Sequence, residues 1–282
     1  MDATPDPGRP FPATPPPLPS GLATPAPARF PGLWAALGMI GLYFLLQLGL
    51  SIVFGFAIGL YEGIRHAGAP SQIRERVVSA MQQPNARALM VVIIVPLAAL
   101  IVLTLARRIW PRLWAMASPP GFGMCRPSLP SLYAAAVAIG LLMPPLGGLL
   151  TQWLAHGHPV TQNVAQIDRS ASPVLQLVLS LVVVTAGPAV EELLFRGVLL
   201  SALLRRLPTG WAVAACALLF GAVHLPGLDY RWYALPDLML LAVALCWLRL
   251  KSGSLWPSMV AHGVNNSVAM LALFVAVAQH HA

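Results

Sequence analysis

The sequence predicts an all-α fold: a polytopic transmembrane helical bundle of about seven spans, give or take one, with the helices that carry chemistry in the C-terminal half. Three observations predict it. The chain is 57% hydrophobic with 9% charged residues and a mean hydropathy of +0.74, outside the range of a soluble domain. Apolar stretches of spanning length, about 20 residues at ~1.5 Å each, fall at 33–60, 88–106, 131–155, 173–206, 211–227, 234–249 and 255–278. Polar residues interrupt those stretches as three clusters, all within the last four.

Taken in order, residues 1–30 are a Pro/Ala-rich tail with runs such as PATPPPLP and ATPAPARF and no charged-then-apolar signal pattern, expected to be disordered and partly polyproline II. Residues 31–171 form an N-terminal transmembrane region without an assigned role, and 172–282 a C-terminal core. The connection 61–87 carries Arg65, Arg74, Glu75, Arg76 and Arg87, enough charge for an interfacial helix. Pro96 and the pair Pro144 and Pro145 are expected to kink their spans. The fourth stretch, at 34 residues, would reach about 51 Å unbroken. Pro188, which has no N–H and clashes with the preceding turn, is expected to restart it. Glu191 and Glu192 then fall in the first turn of the restarted helix, where free N–H groups favour carboxylates. Asp237, after Pro236, reads as a helix-start carboxylate.

The net charge of +8 comes from sixteen arginines and one lysine in loops and helix ends, which is a topology signal. No basic, aromatic-interleaved patch suggests nucleic acid as a partner. With the N-terminus cytoplasmic, nine basic residues (Arg29, Arg107, Arg108, Arg112, Arg126, Arg205, Arg206, Arg249, Lys251) lie inside. Six (Arg65, Arg74, Arg76, Arg87, Arg169, Arg231) lie outside, which favours that orientation. Cys125, Cys216 and Cys246 form no C-x-x-C pair and read as packing residues.

The chemistry-bearing clusters are Glu191-Glu192-x-x-x-Arg196, Phe220-x-x-x-His224 and His262-x-x-x-Asn266. A charge at the centre of a span costs roughly 2.5–3.5 kcal/mol on insertion scales, so two adjacent glutamates need a structural or chemical return. Glu191 and His224 are nearly equidistant from the turn at Pro208, at about 25 Å, so an antiparallel hairpin sets them face to face. His262 and Asn266 share a helix face at i, i+4 and lie about 14–20 Å deep from the Gly253 turn on the same side. Two carboxylates, two imidazoles and a carboxamide can therefore meet in one pocket. Such groups suit amide hydrolysis: a desolvated carboxylate as base, imidazoles for water or metal, an amide N–H for an oxyanion. Arg196, at i+4, can pair with Glu192 and leave Glu191, about 100° around the helix, as the freer base.

At these residues the chain resembles the intramembrane endopeptidases that include the type II CAAX prenyl proteases and the bacteriocin-processing and immunity proteins. The motifs are AVEELLFRGVLL, LLFGAVHLP and SLWPSMVAHGVNN, in order over about 172–279. The resemblance implies a membrane peptidase in which Glu191 activates water, His224 holds that water or a metal, and His262 and Asn266 form the oxyanion site or further ligands. It leaves glutamate and metal mechanisms open. Glu191, His224 and His262 suit zinc, and since H-E-x-x-H is absent, such a site must be assembled between helices. The implied partners are a peptide or protein substrate, in some members lipidated, and the bilayer of a cell membrane, here a bacterial inner membrane. The competing readings are an immunity or scaffolding protein and a small-solute carrier. Phe220 is expected to be a packing residue outside the site, Asn265 to lie off the His262 face, and His156, His158, His280 and His281 to be solvated.

Overall fold

The computed structural model describes residues 30–65, 70–158 and 171–280, and among them every regular element is helical. The tail at 1–30, apart from Phe30, lies outside the described residues, as do Arg169 and His281. The elements are α1 (Leu33–Arg65), α2 (Ile73–Gln82), α3 (Pro84–Ile109), α4 (Pro111–Trp114) and α5 (Leu132–Ala155). After them come α6 (Pro173–Val184), α7 (Ala186–Glu192), a π-helical turn over Leu193–Leu199, α8 (Leu200–Leu204), α9 (Thr209–His224), α10 (Leu235–Ser252) and α11 (Trp256–His280). Six helical runs among the described residues are long and apolar enough to cross a membrane: α1, α3, α5, Pro173–Leu204, Thr209–Leu228 and Trp232–Ser252. α11, 25 residues long, packs beside them against α5, α6, α7 and α10. The protein is a multi-pass membrane protein whose elements follow the apolar stretches closely. The charged connection after α1 folds as the separate helix α2, and α3 and α5 run on through their prolines.

The run from α6 to α8 is the element on which the others converge. α1 and α3 pack against it, and so do α9, α10 and α11. Its residues Val190, Leu193, Leu194, Phe195, Val198 and Leu199 are almost wholly buried, whereas Leu45, Leu48, Ile52, Val53 and Phe56 of α1 are 59–74% exposed, as lipid-facing side chains are. The break in this run is not at Pro188. α6 ends at Val184, Thr185 turns (φ −120, ψ −69), and α7 starts at Ala186, with Pro188 inside its first turn. The reason is steric: a proline ring clashes with the carbonyl four residues back, here Val184, and a first helical turn is where a missing N–H is tolerated. Glu191 and Glu192 consequently sit at the C-terminal end of α7, entering the π turn, and not in the first turn of the restarted helix.

Arg249, counted by sequence among the inside charges, is fully buried. Its Nη1 and Nη2 donate to the carbonyls of Ala117 and Gly121 at 2.7 and 2.6 Å. The loop that supplies them passes so close that a Cβ on Gly123, itself left-handed at φ +75, would stand 2.7 Å from Arg249 Cζ. Leu255 N–H donates to the Gly123 carbonyl, and Ser254 Oγ to that of Cys125, closing this end of the bundle.

α5 and α11 approach through small residues, as membrane helices do. A Cβ built on Gly140 would lie 2.6 Å from the Ala261 carbonyl oxygen and from Val264 Cβ, while one on Gly148 would meet nothing within 4 Å. Gly140→Ala should therefore cost about 1–3 kcal/mol of stability, and Gly148→Ala should be neutral or mildly stabilising. Thermal unfolding of the two variants in detergent checks this; equal midpoints would contradict the close approach.

Candidate functional site

The site is built where α7, the π turn, α9 and α11 meet. Glu192 and Arg196 are both fully buried, and Arg196 Nη1 donates to Glu192 Oε1 at 2.9 Å. His262 Nδ1 lies 2.9 Å from the same oxygen. A carboxylate paired to an arginine accepts, so the imidazole donates through Nδ1, and in the neutral ring Nε2 carries the lone pair. His224 is fixed in the same sense from α9: its Nδ1 is 2.7 Å from the Phe220 carbonyl, which can only accept. Both Nε2 atoms then approach one atom, Glu191 Oε2, at 3.7 Å from His224 and 3.8 Å from His262. These gaps are too long for direct hydrogen bonds.

The two glutamates differ in access. Glu192 is sealed, whereas Glu191 is 22% and His224 32% exposed, so only Glu191 of the pair can meet a substrate. The structure thus gathers Glu191, Glu192, Arg196, His224 and His262 in one cluster. Asn266 is placed differently. Pro188 removes the N–H that would serve the Val184 carbonyl, and α11 passes over this break: Asn266 Nδ2 donates to the Val183 carbonyl at 2.9 Å, and Gly263 is so close to Val184 that an added Cβ would lie 2.8 Å from its oxygen. Asn266 Oδ1 accepts from Asn265.

Phe220 is a packing residue, as its sequence suggests, and it packs directly against the site. Its ring lies 4.3 Å beneath the Arg196 guanidinium carbon, 4.6 Å from the His224 ring and 5.9 Å edge-on to the His262 ring. It therefore fills the space between the three clusters and gives the guanidinium a π-face where water is absent. The only sequence signal was its i, i+4 relation to His224. Cys216 and Cys246, scattered in sequence, are both buried in the core, where Cys216 Sγ donates to the Phe195 carbonyl at 3.4 Å.

The donor types suit zinc, and each histidine has its other nitrogen held by a carboxylate or carbonyl, as metal-binding histidines do. As the side chains stand, however, no group of three or more His, Cys, Asp or Glu among the described residues is placed to hold an ion.

Because Glu192 is buried, removing its cation strands a charge. Arg196→Met should lower stability by about 3–5 kcal/mol, and Arg196→Met combined with Glu192→Leu should lose less than the sum of the two single changes. Unfolding of the three variants measures it; additive losses would contradict a coupled pair.

Compared with known proteins, residues 173–268 match the family described as type II CAAX prenyl endopeptidase Rce1-like. No curated protein and no solved structure matches the chain. The matched stretch opens at the first residue of α6 and contains Glu191, Glu192, Arg196, His224, His262 and Asn266, with α1 to α5 outside it. The C-terminal part of the chain, residues 173–268, is thus similar to the type II CAAX prenyl endopeptidase Rce1-like family.

Proposed function

We propose that this protein is an intramembrane endopeptidase in which Glu191 activates the attacking water. The observation that carries the reading is the approach of two histidine Nε2 atoms, both with their Nδ1 hydrogens engaged elsewhere, to one oxygen of the accessible carboxylate, Glu191. Water bound between Glu191 and an imidazole lone pair loses a proton to Glu191 as its oxygen adds to the scissile carbonyl carbon. The tetrahedral intermediate collapses with cleavage of the C–N bond, and the proton held by Glu191 passes to the departing amine. Glu192, with Arg196, holds His262 in the tautomer the site needs; neither touches the reacting atoms. Zinc held by Glu191, His224 and His262 would need those groups to close further on a common point, so no step is routed through it.

The family description supports a substrate with a CAAX-type end, carrying its lipid in the bilayer beside the bundle. We place the N-terminus in the cytoplasm, in a bacterial inner membrane. Setting aside the buried Arg249, eight basic residues against six still favour that orientation. The site stands on the α9 end that carries His224, opposite the turn at Pro208.

The test is hydrolysis of a quenched-fluorescence peptide library, including farnesylated CAAX-type peptides, by the detergent-purified full chain. Glu191→Gln should lose about 10²–10⁴-fold in rate without loss of thermal stability, and His224→Ala should lose activity as well. Cleavage by Glu191→Gln at the wild-type rate would sink the proposal, and intact partner binding without cleavage would point to a scaffold. Treatment with 1,10-phenanthroline should leave the rate within about two-fold; inhibition reversed by zinc would replace the glutamate-bound water by a metal-bound one.

A further inference from the structure

A cavity of about 540 Å³ opens where the C-terminal end of α5 meets the turn Trp232–Ala234 that precedes α10. One wall carries His156 and His158, the other Arg231, Trp232 and Tyr233. The second wall belongs to the loop that follows α9 directly after His224, so the cavity lies on the membrane side toward which that end of α9 points. It is separate from the Glu191 cluster, none of whose residues lines it.

Two imidazoles and a guanidinium make the lining basic. Asp229 Oδ2 lies 3.7 Å from Arg231 Nη2, and the N–H fork of a guanidinium has donors enough to serve a phosphate beside that carboxylate. The backbone takes unusual conformations to build this arrangement. His156, Asp229 and Tyr230, with φ of 46, 52 and 58, are the non-glycine residues of left-handed conformation among the described residues, and all three fall in the two segments that wall the cavity. Such a conformation is disfavoured for a side chain as bulky as that of Tyr230, and it recurs where ligands are held.

The surroundings match a lipid molecule. Leu142, Leu146, Leu149 and Trp153 stand exposed on successive turns of α5, an apolar stripe that leads along the bilayer to the cavity. Trp153, Tyr230 and Trp232 are exposed beside its mouth, as aromatic side chains at headgroup level are. We infer that the cavity binds the phosphate of an anionic phospholipid, with an acyl chain laid along the exposed stripe of α5. A soluble anion would use the basic groups alone, whereas a phospholipid uses both the basic groups and the stripe that leads to them. This site is independent of the peptidase reading.

Native mass spectrometry of the detergent-purified full chain, titrated with dioleoylphosphatidylglycerol, dioleoylphosphatidylcholine or glycerol phosphate, tests the inference. Wild type should bind phosphatidylglycerol about five-fold more tightly than phosphatidylcholine, the effect of one net charge, and glycerol phosphate at the same concentration should not displace it. Arg231→Gln should weaken phosphatidylglycerol about ten-fold. His156→Asn combined with His158→Asn should weaken it as well, and asparagine tolerates the left-handed backbone at 156, so this variant decides the matter if Arg231→Gln does not fold. Lys251→Gln, across the membrane, should stay within about two-fold of wild type. Wild-type affinity in the folded cavity variants, equal affinity for the two lipids, or an equal loss in Lys251→Gln overturns the site. Displacement by glycerol phosphate overturns the lipid in favour of a free anion.

Discussion

A carboxylate with no exposure in the middle of an apolar bundle constrains everything around it. Glu192 costs several kcal/mol if left alone, and the fold answers with two donors on one of its oxygens, Arg196 from the next turn and His262 from α11. Meeting that demand fixes the angular position of α7, ties the broken span to α11, and sets the tautomer of His262. Glu191, one residue earlier and therefore about 100° around the helix, is turned by the same constraint toward the free nitrogens of the two histidines. The sealed glutamate thus positions what the accessible one uses.

The break in the same span makes the second constraint. Pro188 denies the Val184 carbonyl its usual donor, and unpaired backbone groups inside a membrane are costly. α11 lies over the gap, with the close backbone of Gly263 beside Val184 and the Asn266 amide on the neighbouring Val183 carbonyl, so the helix that delivers His262 also covers the break in the helix that delivers Glu191. The π turn that follows carries Arg196, and extra-residue turns of this kind recur at functional sites. Restarting, covering and aiming are done by neighbouring residues on two helices.

Much of this was legible in the sequence because the membrane makes polarity rare. The spans follow from uninterrupted apolar runs, and the equal distance of Glu191 and His224 from the Pro208 turn follows from helical rise alone. The Glu192–Arg196 pair follows from i+4 spacing. What stayed hidden depended on tertiary contact. Phe220 is an aromatic residue in an apolar helix, and nothing local separates a packing ring from one lying between Arg196 and two imidazoles. Arg249 sits three residues from a helix end, like any topology charge, and only the fold-back of the loop at 117–123 shows that it is buried. The restart fell at Thr185 because the steric conflict of a proline lies a turn before it.

The central claim is that water, activated by Glu191, attacks the peptide carbonyl directly. Its most direct test is cleavage of a peptide in H₂¹⁸O with hydrazine present, the products read by mass spectrometry. The account predicts one ¹⁸O in the new carboxylate and no acyl hydrazide. An acyl hydrazide that disappears in Glu191→Gln would reveal a covalent acyl-enzyme at that glutamate and would contradict the account.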